Sequence, residues 1–327
     1  MHATSRLVRV IPSKDLGSTP LKATVCDTDL VLFRDSAGAP HAFLDQCPHR
    51  GCNLSIGKVA DDRLVCAYHG WHFDENGHCV HVPANRAGMR IPHSAKLQVF
   101  PACDTAGLTW VYASPVLSGN LFPELALFPE LSQTGWRYVP FEALWSANFC
   151  RVVESAIDVS HLPFVHPETT GEDVSPVVYG PDYRFSEYGI VIHPTPFAPT
   201  HPMEVIPTPE GVADRTEIAL LFPNNWMIRT PMGDDNWMCT FLTFCPVGRS
   251  ATKIFGIAMR NFDIDSEFLD DFHVEHTEFV MEQDRCIVER LKPVEPPLLK
   301  YESHVPADAP SIRFRTMLFK ALKQENT

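Results

Sequence analysis

Cys47-Pro48-His49-Arg50-Gly51 and, after fourteen intervening residues, Cys66-Ala67-Tyr68-His69-Gly70-Trp71 are the two stretches that decide how this 327-residue sequence is read. Each offers one thiol and one imidazole from a short loop, so together they make a four-ligand set of type Cys₂His₂. Such a set can hold zinc tetrahedrally, but zinc fingers group their two cysteines in one unit and their two histidines in another. Here the order alternates. Alternation suits a [2Fe–2S] centre in which two thiolates hold one iron and two histidines the other, because each loop then touches both irons. Zinc remains the competing reading of these four residues taken alone.

The sequence around the two loops is built for short strands. Leu7-Val8-Arg9-Val10-Ile11, Leu30-Val31-Leu32-Phe33, Arg63-Leu64-Val65-Cys66, Cys79-Val80-His81-Val82 and Leu108-Thr109-Trp110-Val111-Tyr112 are apolar or alternating runs, with turn residues between them such as Asp74-Glu75-Asn76-Gly77. Residues 1–115 are therefore expected to form an all-β domain, closed by a linker rich in Pro, Ser and Gly that runs from Ser114-Pro115 to Pro129. Residues 116–327 read as a second domain of α+β type. In it Val152, Val153, Ile157 and Leu162 have helical spacing, and Ile218-Ala219-Leu220-Leu221-Phe222 is strand-like. Six prolines between Pro194 and Pro209 predict a long irregular loop. From Asp265-Ser266 onward Phe268, Phe272, Phe279, Val280, Ile287, Val288 and Leu291 predict a helix of about seven turns with a polar cap at its start and Pro293 at its end.

Composition sets the outer limits. With 45% hydrophobic and 20% charged residues the chain can build sizeable cores and is not a disordered segment. No apolar run reaches the roughly 18–20 residues of a membrane span, and Met1-His2-Ala3-Thr4-Ser5-Arg6 lacks the apolar core of a secretion signal, so a cytoplasmic location is expected. A net charge of −13 disfavours nucleic acid or an anionic membrane as partner. In a reducing compartment ten cysteines do not imply disulfides. Cys26, Cys103, Cys150, Cys239, Cys245 and Cys286 stand singly among apolar residues and read as plain buried thiols, which leaves Cys47, Cys52, Cys66 and Cys79 crowded among histidines.

The two loops resemble the Rieske domain of Rieske-type non-haem iron oxygenases. The resemblance implies that Cys47 and Cys66 bind the inner iron of the [2Fe–2S] cluster and that His49 and His69 bind the outer one. High-potential Rieske proteins carry half of a disulfide at the position of Cys52, but its mate falls on Tyr68 here, so that bridge cannot form. A low-potential cluster is implied, with Cys52 and Cys79 as bystanders.

A cluster alone carries electrons and leaves the second domain unexplained. In Asp158-Val159-Ser160-His161-Leu162-Pro163-Phe164-Val165-His166 the first acid and His161 are three apart, and His166 follows five later. Two neutral imidazoles and one carboxylate make the facial triad of non-haem Fe(II), which leaves positions open for other ligands. By itself the histidine pair is weak evidence. The same oxygenase family carries Asp-x-x-His-x₄-His, which Asp158, His161 and His166 match position for position. The resemblance implies iron ligation by both histidines, and for Asp158 a catalytic role as the bridge between an iron-ligating His and the second Rieske His of a neighbouring subunit. It implies a ring-shaped homotrimer in turn, because within one chain the two centres would lie too far apart. For the third ligand the resemblance implies a carboxylate just before a short apolar stretch ending in Glu, which is Asp284; it also follows Val280 by four and precedes Ile287 by three on the helical stripe, whereas Glu282 falls on a more exposed side. His273 and His276, three apart on the same helix, form a rival pair.

The resemblance extends to the tail, where Val305-Pro306-Ala307-Asp308-Ala309-Pro310-Ser311-Ile312-Arg313-Phe314-Arg315 is similar to those of single-subunit Rieske monooxygenases and demethylases. It departs at the start, where Arg6-Leu7-Val8-Arg9-Val10 only partly replaces a Trp-Tyr/His-x-Val-Ala segment. The fold implied is a Rieske domain followed by a helix-grip (START-like) catalytic domain. The function implied is the terminal oxygenase of a multicomponent system, taking electrons from an NAD(P)H-dependent flavin or iron–sulfur reductase, with or without a ferredoxin. At mononuclear Fe(II), O₂ would be used to hydroxylate or to O- or N-demethylate a small aromatic or heterocyclic substrate. Ring cis-dihydroxylation, desaturation, and an electron carrier without catalytic iron are the alternatives. Asn148, Phe149, Val152, Phe164 and Trp226 are candidates for the substrate pocket wall. Arg50, His72, Arg86 and Arg90 are candidates for docking an acidic electron donor.

Overall fold

Alternating apolar runs and short turns give strands throughout, as a computed structural model of the chain makes visible. The structure describes residues 8–25, 28–105, 107–112, 127–169, 174–176, 183–186, 189–198, 201–205 and 216–324. Two compact units divide the chain, residues 1–125 and 126–327. The expected boundary near 115 lies outside the described residues, as does Cys26.

The first unit is all-β. Leu21–Val25, Thr28–Arg34, Pro40–Leu44 and Val99–Phe100 form one antiparallel sheet, and Lys58–Ala60, Arg63–Val65, His72–Phe73 and Cys79–His81 form a second, smaller one. A third sheet pairs Val8–Pro12 and Ala102–Thr105 with Leu108–Tyr112. Val31, Phe33, Phe43, Leu54, Leu64 and Phe73 fill one core, and Cys47 and Cys66 belong to the same cluster of buried residues. The two cysteines therefore sit where the loops leave this core, held in place by packing that the alternation of the strands dictates.

The second unit has the expected α+β form. Its main sheet runs Arg137–Trp145, Ala251–Arg260, Trp237–Gly248, Asn225–Pro231, Glu217–Leu221, Gly189–Ile192 and Tyr183–Phe185, with every pair antiparallel. Helix α1 (Phe149–Ala156) packs on the strands 237–248 and 251–260. Its first turn is capped by Asn148, whose side chain accepts from the Cys150 amide at 3.0 Å and donates to the Arg249 carbonyl at 2.7 Å. A single turn, α2 (Leu162–Val165), comes next. The long helix α3 (Glu267–Val288) lies against the strands 137–145 and 251–260, and α4 (Ala309–Gln324) packs on α1.

Several expectations change. Helix α1 stops at Ala156 because the Asp158 side chain accepts from the Ser160 amide at 2.7 Å and from its hydroxyl at 2.6 Å, a local turn that competes with helical bonding. Between Pro194 and Pro209 the strands Thr195–Ala198 and His201–Val205 pair as a hairpin, so proline density did not prevent a ladder of four- and five-residue strands. Ser266 caps α3 as expected, but most of the apolar stripe is not its buried face. Phe268, Phe272 and Phe279 are exposed, whereas Asp270, His273, Met281 and Val288 are buried. Cys286 is exposed on α3 and not buried as its neighbours suggested. Among the described residues no helix is long and apolar enough to cross a membrane.

One buried ion network seats the start of α3. Arg260, 1% exposed, donates to Asp270 Oδ1 at 2.6 Å and to the Ser266 carbonyl at 2.7 Å, while Arg137 from the edge strand pairs with Asp270 Oδ2. Taking one partner from such a network leaves a buried charge uncompensated.

Candidate iron–sulfur loops and iron triad

The two Cys/His loops are closed by the same pair of hydrogen bonds. The Gly51 amide donates to the Cys47 carbonyl at 2.8 Å and the Gly70 amide to the Cys66 carbonyl at 3.0 Å. Each cysteine amide in turn donates to the residue after the glycine position: Cys47 to Cys52 at 2.8 Å and Cys66 to Trp71 at 3.0 Å. Both glycines adopt positive φ, +74° and +65°, so both loops need a residue without Cβ at the fifth position. Asp45, 4% exposed, ties the start of the first loop to its far end by accepting from Asn53 Nδ2 at 3.0 Å and from the Ser55 amide and hydroxyl at 2.7 Å each.

These closures bring all four candidate ligands to one place. The His49 and His69 rings meet edge to face with centroids 4.6 Å apart, and Trp71 stacks on His49 at 4.4 Å. His49 Nδ1 is buried with no hydrogen-bond partner. Burial, then the adjacent His69, pushes the His49 pKa down and keeps the ring neutral, as a metal ligand must be. Burial likewise pushes the Cys47 thiol up to about 11, and Cys66 adds to the rise. Two facing buried thiols and an orphaned imidazole nitrogen fit a group that supplies positive charge, and a [2Fe–2S] cluster with mixed ligands does so. Cys52 faces Cys66 in the same cluster of groups, and its Sγ donates to the Asn53 carbonyl at 3.5 Å.

In the second unit His161 and His166 stand at the two ends of the single turn α2, His161 as its N-cap residue and His166 as its C-cap. His166 has left helical geometry (φ −122°, ψ 46°), and across this short turn the two rings converge. Their Nε2 atoms are 3.3 Å apart, and Asp284 Oδ1, arriving from α3, lies 3.2 Å from each. Three ligands about 2.1 Å from a common ion and at right angles to one another lie about 3 Å apart, so this near-equilateral triangle has the size of one face of an octahedron. Glu282, the acid not chosen, is half-exposed and paired with Arg285.

Electrostatics favour a cation at the centre of the triangle. Burial raises the Asp284 carboxyl, but hydrogen bonds from His161 and His166 outweigh it and hold the group below its ordinary range. Burial lowers His166, and its bonds to Asp284 and Gln283 more than reverse this. The outer nitrogens differ. His166 Nδ1 is bonded to Gln283 Oε1 at 2.8 Å, while His161 Nδ1 is buried without a partner and has Asp158 Oδ2 at 4.0 Å. Asp158 is thus near the expected imidazole, with its other oxygen pinned by Ser160.

A cavity of about 500 Å³ opens beside the triad. Arg151, Glu154, Asp158, His161, Asp284 and Arg315 are among its lining, with apolar wall from Ile287, Leu291 and Ile312. None of the five residues expected at a pocket wall lines it. Asn148 is a helix cap; Phe149 and Val152 are buried on α1, the former edge to face with Phe314; Trp226 donates to the Ala156 carbonyl at 2.7 Å; and Phe164 is 72% exposed on α2. The rival pair does not form a centre either: His273 is buried and bonded to Thr240 Oγ1 at 3.0 Å, and His276 stacks on Phe272. Arg50, Arg86 and Arg90 are exposed, and His72 meets His81 edge to face. Sequence alone does not single out Gln283, Ser160 or Asp45. Their only signal there is adjacency to a ligand or a loop.

Comparison with known proteins agrees with this geometry. Residues 6–101 match the Rieske [2Fe-2S] domain, and residues 145–324 match the vanillate O-demethylase oxygenase C-terminal domain. Methylxanthine N1-demethylase NdmA of Pseudomonas putida is 30% identical over 280 residues, which is 85% of this chain and 76% of that protein. Protein TIC 55, chloroplastic, of Arabidopsis thaliana is 33% identical over 165 residues, covering 49% of this chain; the chain spans only 30% of that relative's length. The crystal structure of dicamba monooxygenase bound to dicamba superposes with a TM-score of 0.76 at 21% identity, covering 98% of each chain, and shows the same fold. The chain belongs to the Rieske non-haem iron oxygenases. It has the family's two-domain order, the β-rich Rieske domain first and the α+β oxygenase domain second.

Proposed function

We propose that this protein is the terminal oxygenase of a multicomponent Rieske system and uses O₂ to hydroxylate, or to remove an O- or N-bound methyl group from, a small aromatic or heterocyclic substrate. The observation that carries the reading is the coexistence of two complete ligand sets in one chain: Cys47, His49, Cys66 and His69 on matched loops, and His161, His166 and Asp284 in a triangle with sides of 3.2–3.3 Å. Iron(II) held by that triangle would keep coordination positions open, at which O₂ and an oxidisable C–H bond can meet. Demethylation has the support of two names, that of NdmA and that of the matched C-terminal family.

The chain's own residues have distinct tasks in this reading. His161 and His166 present Nε2 lone pairs and Asp284 a carboxylate oxygen. Asp158 stands 4.0 Å from the outer nitrogen of His161 as the nearest carboxylate to that ring, and Ser160 holds its other oxygen by two hydrogen bonds. Asp158 is partly exposed and lines the open cavity, which suits its expected role as the residue that meets His69 of a neighbouring copy in a homotrimer. Electrons would arrive from an NAD(P)H-dependent reductase, directly or through a ferredoxin, in the reducing cytoplasm where free thiols persist.

Iron and acid-labile sulfide counted on anaerobically purified protein test this. About three irons and two sulfides per chain are expected, falling to about two irons in His161→Ala with the spectrum of the reduced cluster unchanged. A fully loaded wild type holding about two irons would instead make the protein an electron carrier. With a reductase, NADH and methylated aromatic substrates, formaldehyde release marks demethylation, and a cis-diol product would replace it with ring dihydroxylation.

A further inference from the structure

The two histidines of the triad are treated differently by the protein around them. His161 has an outer nitrogen that is buried and unpartnered, next to a carboxylate at 4.0 Å. His166, 1% exposed, has both ring nitrogens engaged by consecutive residues of α3: Nε2 faces Asp284 Oδ1 at 3.2 Å, and Nδ1 faces Gln283 Oε1 at 2.8 Å. Neighbours in an α-helix point about 100° apart, so Gln283 and Asp284 reach the ring from two directions. We propose that Gln283 is the positioning residue of the iron site, fixing His166 as the tautomer that carries hydrogen on Nδ1 and so keeping its Nε2 lone pair directed into the triangle. The inference rests on the reading of the triad as an iron site.

An amide oxygen only accepts hydrogen bonds, so the contact requires the hydrogen to be on Nδ1. A neutral imidazole with its hydrogen on Nδ1 has its lone pair on Nε2, the atom 3.3 Å from His161 Nε2 and 3.2 Å from Asp284. The alternative tautomer would satisfy Asp284 with a hydrogen bond and would be unable to bind a metal through Nε2. With Oε1 turned to Nδ1 at 2.8 Å, Gln283 weights the ring against that competitor before any metal arrives. It does so without adding charge, so Asp284 remains the only anionic member of the triangle. Because Gln283 and Asp284 are adjacent on one rigid element, the same placement of α3 that delivers the carboxylate also selects the tautomer. His161 lacks such a clamp and is left responsive to Asp158.

The test is an anaerobic Fe(II) titration, by calorimetry, of protein that retains its Rieske cluster but has been stripped of mononuclear iron. In Gln283→Leu the Fe(II) dissociation constant should rise about 10- to 100-fold, the usual cost of losing an outer hydrogen-bond partner of a metal-bound histidine. In Gln283→Glu, which keeps an acceptor at the same reach, it should stay within about threefold of wild type or fall. Thermal melting and the cluster spectrum on the same samples report folding independently of the iron site. Equal Fe(II) affinity in wild type and Gln283→Leu would overturn the proposal while leaving the iron site standing. Should Gln283→Leu not fold, a tenfold loss in a folded Gln283→Glu would overturn it as well. A wild type that takes up no Fe(II) would refute the iron-site reading itself, and this proposal with it.

Discussion

The cluster loops and the iron triad gather their ligands by opposite routes. In the first unit the four candidate ligands come from one continuous stretch, and each loop is closed within itself by amides bonding to carbonyls four and five positions away. In the second unit His161 and His166 share one helical turn, but the bond from His166 to α3 spans 117 positions of sequence. The first site is written into local backbone geometry, whereas the second exists only when a sheet, a turn and a long helix have docked. Sensitivity to change should be distributed differently as well. The loops should fail through their own residues, and the triad through residues far from it.

Cys47→Ser tests the local side and should have the largest effect. The residue is a ligand candidate and part of a packed core, so the cluster spectrum should disappear entirely while the second unit keeps its capacity for Fe(II), measured by the same anaerobic titration. Arg260→Leu tests the distant side. It strips Asp270 of its most buried partner at the start of α3, and denaturant unfolding of the second unit should show a loss of about 3–5 kcal/mol with weakened Fe(II) binding, the cluster spectrum being unchanged. A cluster spectrum that vanishes in Arg260→Leu would erase the distinction between the two regions.

A smaller effect sharpens the comparison through pH. Burial, then the charges of Arg260 and His276, hold His273 down to about 4, against an ordinary value of 6.5, and Asp270 opposes this only weakly. The unfolded chain therefore binds more protons than the folded one between these two values. Stability contributed by neutral His273 is complete above about pH 6.5 and is lost as the pH falls towards 4, on the order of 3 kcal/mol in all. Denaturant melts of the second unit from pH 7 to 4 should slope downwards, and His273→Gln should flatten that slope. An unchanged slope in the variant would assign the acid sensitivity to other groups.

What is legible in the sequence follows the same division. Cys47, His49, Cys66 and His69 were legible because spacing, ligand type and turn-forming glycines all lie within reach of one another in the chain. His161 and His166 were legible as a motif, although no continuous helix runs through them: Asp158 spends its side chain on the Ser160 amide and ends α1 early. Asp284 was legible through the family pattern, a carboxylate just before a short apolar stretch ending in Glu, whereas the stripe invoked for it faces outward at Ile287. Its neighbour Gln283 was not legible, since nothing in a sequence says which nitrogen of a distant histidine needs a partner. The apolar pattern of α3 identified a stripe but not its direction, and Phe268, Phe272 and Phe279 proved to face outward while Asp270 and His273 faced in. Buried polar groups are permitted by partners such as Arg260 and Thr240, which come from strands that the helix sequence does not mention.

The position of α3 late in the chain has a consequence for biosynthesis. Domains fold as units, N-terminal first, while the ribosome is still adding residues. Both cluster loops and the last strand of their unit, Leu108–Tyr112, have been made long before Asp284 and Gln283 exist. The nascent protein can thus accept its sulfide-bridged pair of irons before it can bind the single one, and the order of the chain becomes an order of metallation.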